Sequence, residues 1–436
     1  MKHLFFGGVH PADRKELTGR GIPAPAPIPA QVVIPLRQHI GAPCTPLVKP
    51  GDTVGLGQKL GDGEGLCVPV HASVSGLVTA VEPRPHPGGG QVLSVVIEND
   101  YQDTPASALE PHLDLSGLTK EEIVSIIGEA GIVGMGGATF PTDVKTVAGM
   151  GRVDTLIANA CECEPYITAD DALLCTYPEQ VLRGMGVLMA VLEPKRAVLA
   201  VEDNKSEAVG ILKKQMETFP GIELLILPTR YPQGAEKQLI QAVTGRQVPP
   251  GALPKDVGCA VFNAATFASI YKAVYEGEPV TRRIVTVTGE GVREPKNLIV
   301  RIGTPFSEVI AAAGGLTGDV WKVLSGGPMM GVAQADLAVP VVKGTNAVLC
   351  LSRAQDREGA HPQCIRCAKC VTACPMSLQP LYLYRFEQAG DLTALRRLNL
   401  IDCIECGCCA YVCPGRLPLV ESFRAGKRAV KEENAS

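Results

Sequence analysis

Short apolar runs rich in β-branched side chains, the pattern of strands, occupy three early stretches, residues 31–36, 73–81 and 92–98. Pro-Gly, Gly-Asp and triple-Gly punctuation separates them, which predicts a small β-barrel or sandwich. Ahead of them, residues 21–30 alternate proline with small residues and are expected to run as an extended polyproline II arm. From about residue 116 the pattern changes. Ser116 is expected to cap a helix over 119–129, because Ile123, Ile126 and Ile127 fall on one face, and Gly131 ends it. Strands then read at 155–158, 197–201, 223–227 and 258–262, with helical patterns at 178–192 and 205–218 between them. This alternation predicts an α/β layer with a largely parallel sheet, in which ligands sit at the carboxyl ends of the strands. Residues 282–302 read as two strands and a turn, followed by a helix over 305–313 that stops at Gly314-Gly315.

Composition adds a frame. With 436 residues, 46% of them hydrophobic, the chain can bury several cores, so three or four domains are expected. A net charge of −4 with interspersed signs leaves no basic footprint, which argues against a nucleic-acid partner. Apolar runs such as 187–192 fall far short of the ~20 residues of a spanning helix. The first residues show no secretory leader, so an oxidising compartment is not expected.

The strongest chemical signal lies near the C-terminus. Cys364, Cys367, Cys370 and Cys374, followed by Pro375, repeat as Cys403, Cys406, Cys409 and Cys413, followed by Pro414. This is the spacing of bacterial two-cluster ferredoxins, where three cysteines of one run and the last of the other hold each centre. The expected ligand sets for two [4Fe–4S] clusters are therefore Cys364, Cys367, Cys370 with Cys413, and Cys403, Cys406, Cys409 with Cys374. Zinc knuckles use two Cys-x-x-Cys pairs and four ligands in all, a poorer match to four cysteines per run. Cys408 breaks the spacing and is expected to stand outside both sets. Cys44, Cys67, Cys161, Cys163, Cys175, Cys259 and Cys350 read by default as small buried apolar residues.

A glycine-rich loop, residues 131–145, opens the α/β region. As a dinucleotide fingerprint it is imperfect: Thr139 stands where the third glycine belongs, and a helix precedes it. Bare backbone amides and Lys145 nonetheless suit a phosphate, against a plain packing role for the glycines.

Several segments carry a resemblance. Gly-Met-Gly-Gly-Ala-Thr-Phe-Pro-Thr at 134–142 with Lys145, Asn-Ala-Cys-Glu-Cys-Glu-Pro-Tyr at 159–166, Val-Glu-Asp-Asn-Lys at 201–205, Tyr-Pro-Gln-Gly-Ala-Glu-Lys at 231–237, Gly-Gly-Pro-Met-Met-Gly at 326–331 and the cysteine runs resemble the RnfC family. RnfC is the nucleotide-side subunit of an ion-translocating ferredoxin:NAD oxidoreductase, and its nucleotide domain is similar to the flavin subunit of complex I. Residues 48–58 and 71–78 resemble the halves of a biotinyl/lipoyl-type barrel-sandwich hybrid. Residues 61–69 hold no lysine, so a docking domain is expected rather than a group carrier.

The resemblance implies a multidomain α/β plus β chain. A barrel-sandwich hybrid would occupy 1–115, a Rossmann-like FMN/NADH domain 116–278, a soluble-ligand-binding β-grasp domain 279–350, and an α-helical two-[4Fe–4S] ferredoxin domain 351–436. It implies that Gly134, Gly136, Gly137, Ala138, Thr139, Phe140 and Lys145 cradle the FMN phosphate and that Asn159 contacts the flavin. Glu162 and Glu164 would line the NADH side, with Gly234 and Glu236 on the facing loop. No protein group is expected to act as a catalytic acid or base, since hydride exchange with FMN and electron transfer to the clusters belong to the cofactors. The implied partners are NAD(H), membrane and peripheral subunits, and indirectly ferredoxin. The implied location is the cytoplasmic face of the cell membrane. Two alternatives stay open here: a soluble flavin/iron–sulfur reductase, as for cobalamin or proline reduction, and a ferredoxin-like relay that binds no nucleotide.

Overall fold

The computed structural model describes residues 5–18, 21–106, 108–355 and 362–435. In the N-terminal region two small antiparallel sheets face each other. One orders strands Gln31–Pro35, Gln91–Asn99, Gly76–Pro85 and Thr53–Val54; the other orders Thr45–Pro46, Lys59–Asp62 and Val70–His71. Val32, Ile34, Val95, Ile97 and Val78 point into the shared core, the intervening Val33 and Val96 are buried as well, and Gln31, Glu98 and Leu77 face solvent. The arm differs from expectation. Ala24–Pro25 pairs in parallel with Leu298 and Ile299, and Ala26 N donates to Ile299 O at 3.0 Å. Proline tolerates this position because it is a sheet edge, where one missing donor costs little.

The helix Lys120–Glu129 is capped by Thr119, not Ser116. Thr119 and Glu122 form a reciprocal capping box, while Ser116 instead donates to Asp114. The α/β layer follows: strands Ile222–Leu227, Arg196–Glu202, Thr155–Ala160 and Cys259–Asn263 lie side by side, all parallel. Alternate residues serve opposite faces. Leu156, Ala158, Leu199 and Val201 pack on the helices Pro178–Leu192 and Ala264–Tyr271, whereas Ile157, Val198 and Ala200 pack on Glu236–Thr244. Burial on both faces is why these strands read as unbroken apolar runs.

The next layer is a six-stranded sheet holding Arg282–Thr288 and Lys296–Arg301, which pair antiparallel, with Ala347–Ser352 and Val320–Ser325 beyond them. Helix Phe306–Ala312 covers it and ends at Gly314 and Gly315, both at positive φ. The C-terminal region is a set of short helices closed by Leu419–Ala435, with Leu383, Leu395, Leu400 and Phe423 at its core. Among the described residues, no helix is long and apolar enough to cross a membrane.

Candidate functional site

Strand order defines where a ligand fits. Chain order runs outward from Thr155–Ala160 through Arg196–Glu202 to Ile222–Leu227, and the fourth strand, Cys259–Asn263, lies on the opposite side. The reversal opens a crevice at the carboxyl ends of Thr155–Ala160 and Cys259–Asn263, the place where doubly wound sheets bind ligands. The glycine-rich loop sits over it. Met135 N donates to Thr266 Oγ1 at 3.0 Å, and a Cβ on Gly136 would lie 3.5 Å from that of Asn263. Gly134 N donates to Phe140 O and Thr139 N to Gly134 O, so the loop closes on itself. Gly136, Gly137 and Ala138 are left exposed at its tip, and the chain then enters helix Thr142–Gly149. Exposed amides, a helix N-terminus and Lys145 one turn in make an anion cradle. The Lys145 ammonium lies 2.5 Å from Glu236 Oε1 and over the Phe262 ring.

Asn159 ties two of the loops. Its Nδ2 donates to Gly234 O at 2.8 Å, and its Oδ1 accepts from Cys161 N. Gly234 is required here: an added Cβ would stand 2.2 Å from Cys161 O. Gly234 N also donates to Cys163 Sγ at 3.3 Å. Burial pushes both the Cys161 and Cys163 thiols far above their ordinary range, so they are neutral thiols in this protein.

The two predicted acidic residues are held firmly. Glu162 caps helix Ala169–Thr176 by accepting from Asp170 N and Asp171 N, and it pairs with the buried Lys205 at 3.2 Å. Glu164 accepts from Met329 N and Met330 N, which latches the 326–331 loop of the neighbouring sheet onto the site. Burial raises its carboxyl. Three residues with no expected role complete this region. Lys15 donates to the carbonyls of Glu162, Glu164 and Ile167. Glu202 is fully buried at the end of its strand, and burial pushes its carboxyl up to about 7. Asp170 bonds Asn263 and is likewise raised to about 7, by burial and the nearby Glu162 charge. The Val-Glu-Asp-Asn-Lys segment at 201–205 is the only sequence signal for two residues of this region, Glu202 and Lys205.

The cysteine runs fold as a repeat. Arg366 and Glu405, Ala368 and Gly407, and Ser377 and Arg416 occupy equivalent places in the two runs, and all six have positive φ. Left-handed residues at such spacing turn successive amides inward, forming a concave nest. Cys364, Cys367, Cys370 and Cys413 line one pocket, whose other walls include Ile365, Leu381, Leu417 and Leu419. Cys374, Cys403, Cys406 and Cys409 lie within electrostatic reach of one another at the second place. Leu378 N and Glu405 N donate to the sulfurs of Cys374 and Cys403. Four thiols in an apolar pocket with inward amides fit an iron–sulfur cubane. Cys408 is fully buried beside this second set, its thiol against the Cys406 thiol and 3.9 Å from Tyr231 O.

The two centres are unequal in position. Tyr231 donates to Cys406 O at 2.6 Å, and Cys163, Met329 and Cys406 pack in one apolar cluster. Gln238 Nε2 reaches Pro375 O, and Gly8 N donates to Ala373 O. Cys364 and Cys367, by contrast, are exposed.

A doubly wound crevice with an anion cradle, its loops packed against one of two four-thiol sets, defines a flavin and iron–sulfur type of electron-transfer chain. Comparison with known proteins agrees. Residues 127–272 match the Nuo51 FMN-binding domain, 3–102 the RnfC barrel-sandwich hybrid domain, 284–333 the SLBB domain and 363–416 the 4Fe–4S dicluster domain. The chain is 45% identical over 433 residues to a subunit of the Na(+)-translocating ferredoxin:NAD(+) oxidoreductase complex of Acetobacterium woodii, covering 99% of this chain and 98% of that one. It is 43% identical to the corresponding subunit of the proton-translocating ferredoxin:NAD(+) oxidoreductase complex of Clostridium ljungdahlii, covering 92% and 88%. The counterpart in the ion-translocating oxidoreductase complex of Serratia proteamaculans is also 43% identical, over 98% of this chain and 61% of its own length. The fold resembles a chain of the NAD+-reducing [NiFe]-hydrogenase in the H2-reduced state, with a TM-score of 0.51 at 22% identity over 72% of this chain and 63% of that one. The chain belongs to the RnfC family, whose members are subunits of ion-translocating ferredoxin:NAD(+) oxidoreductase complexes. It is an electron-transfer subunit of a multi-subunit complex, with FMN-binding and [4Fe–4S] domains. Near full-length identity to RnfC proteins favours the complex over a soluble reductase.

Proposed function

We propose that this chain passes electrons between NAD(H) and its partner subunits through FMN in the crevice and then through two [4Fe–4S] centres in series. The observation that carries this reading is the packing of Cys406 against Tyr231 and Cys163 at the carboxyl edge of the parallel sheet, with the 364/367/370/413 nest farther out and open to solvent. The first centre from the flavin is then Cys374, Cys403, Cys406 and Cys409, and the second faces a partner. The proposed domain boundaries are 1–115, 116–278, 279–350 and 351–436.

Gly134 to Phe140 and Lys145 hold the FMN phosphate by amides and charge, and Asn159 fixes the adjoining loops while contacting the flavin. Glu162 and Glu164 face NADH from one side, Gly234 and Glu236 from the other. Bound FMN would supply the conversion between hydride and single-electron transfer, and bound clusters the single-electron carriage. The chain sits peripherally on the cytoplasmic face, against membrane subunits. The named relatives include both sodium and proton couplers, so the coupling ion is a property of those partners. The test is to mix anaerobic, FMN-loaded protein with NADH. Bleaching of the flavin absorbance supports the reading, and unchanged absorbance with intact clusters would reduce the chain to a relay.

A further inference from the structure

Three side chains of the N-terminal domain that electron transfer leaves without a role converge on one point. His39 follows strand Gln31–Pro35, Cys44 precedes Thr45–Pro46, and Cys67 lies on the 63–69 loop between Lys59–Asp62 and Val70–His71. One ligand atom from each lies within 4.8 Å of the others. The Cys44 and Cys67 sulfurs are 3.5 Å apart. His39 is only 6% exposed, and neither ring nitrogen has a hydrogen-bond partner; the Ala42 backbone approaches the ring without bonding geometry. A buried polar atom left unsatisfied is costly, so an imidazole beside two thiols calls for a ligand.

We propose that His39, Cys44 and Cys67 bind one zinc ion, with water in the fourth position. Zinc–sulfur bonds of ~2.3 Å at a tetrahedral angle place two thiolates about 3.8 Å apart, within a few tenths of an ångström of the observed separation. Two thiolates and a neutral imidazole are a borderline-soft donor set suited to zinc. They also cancel its double charge, which a site shielded from water requires. The buried Lys343 amine lies beside the thiols while donating to Pro69 O and Gly131 O, and Asp62, of opposite charge, lies on the neighbouring strand. A sulfur separation of 3.5 Å is not a disulfide, whose bond is ~2.05 Å.

The site braces the flavin cradle. Ile40 N, next to His39, donates to Thr139 O at 3.1 Å, and Gln38 Oε1 accepts from Lys343 N at 2.9 Å. Zinc would pin the 36–44 segment and the 63–69 loop together directly beneath the glycine-rich loop.

The experiment is metal analysis of full-length protein purified anaerobically without chelator and incubated with equimolar Zn(II). One zinc per chain is expected beside the iron, and its X-ray absorption should show two sulfurs at ~2.3 Å with nitrogen or oxygen at ~2.0–2.1 Å. Cys67→Ser and His39→Gln should each lower zinc at least tenfold. Unchanged iron in both variants reports an intact fold. Three results would overturn the proposal: zinc-free protein after incubation, a four-sulfur zinc shell that places the metal in a cluster nest, or a Cys44–Cys67 disulfide in the anaerobic protein.

Discussion

Alanine substitutions two residues apart on one helix should move stability in opposite directions. Gly184 and Gly186 both lie within Pro178–Leu192. A Cβ at Gly184 would stand 2.0 Å from Phe267 O and 2.6 Å from its carbonyl carbon, whereas a Cβ at Gly186 meets nothing within 4 Å. Helix propensity favours alanine over glycine by about 0.8–1.0 kcal/mol at either position. Nothing opposes that gain at Gly186. At Gly184 the obstacle is backbone, which no rotamer can relieve, so the helices must part by more than an ångström to restore ordinary contact. Overpacking costs about 1–3 kcal/mol and occasionally more, and a backbone clash belongs at the upper end. The net effect of Gly184→Ala is a loss of about 2 kcal/mol. At ~2–4 °C per kcal/mol for a domain of this size, Gly186→Ala should raise the melting temperature by about 2–4 °C and Gly184→Ala lower it by about 4–8 °C. The displaced helix, Ala264–Tyr271, carries Thr266, which anchors Met135 of the glycine-rich loop. Gly184→Ala should therefore also weaken FMN binding. Scanning calorimetry under argon and flavin fluorescence titration measure the two effects. Shifts of the same sign in both variants would refute the packing argument, and an unchanged FMN affinity in Gly184→Ala would refute its link to the cradle.

Other outcomes follow from the same geometry. Lys145→Ala should weaken FMN by about 10- to 100-fold, the range of one charge-assisted hydrogen bond, while riboflavin, lacking the phosphate, should bind the variant and the parent alike in equilibrium titration. Glu202 has a folded pKa of about 7 against an ordinary 4.5, so between those values the folded chain holds a proton that the unfolded chain lacks. Its stability contribution is complete below the lower value and lost as pH rises through the upper one. Urea midpoints at pH 5.5 and 7.5 should show Glu202→Gln losing less stability than the parent, by on the order of 2 kcal/mol. Cys367→Ala should lower iron from about eight to about four per chain and abolish one EPR signal while leaving the other; two surviving signals would overturn the ligand sets.

Local patterns carry most of what is legible in the sequence. The helix Pro178–Leu192 and the four parallel strands read correctly within two residues, because their apolar runs are bounded by glycine, proline or charge. The cysteine spacing likewise marks thiols that lie near one another in the fold. What escapes depends on partners distant in sequence. Thr119 wins the cap from Ser116 only because Glu122 answers it. Ala24–Pro25 becomes a strand only because the 296–301 edge lies open beside it. Lys15 reaches carbonyls 147 or more residues away, and Glu164 holds the 326–331 loop, pairings that no local pattern encodes. His39, Cys44 and Cys67 look unrelated until the two small sheets face each other.

The series order of the two centres is tested most directly by freeze-quench EPR of Cys406→Ala protein mixed anaerobically with NADH. Flavin should bleach at the parent rate, with the reduced signal of the 364/367/370/413 centre delayed at least tenfold. Appearance of that signal at the parent rate would contradict the order, because electrons would then bypass the thiols packed against Tyr231.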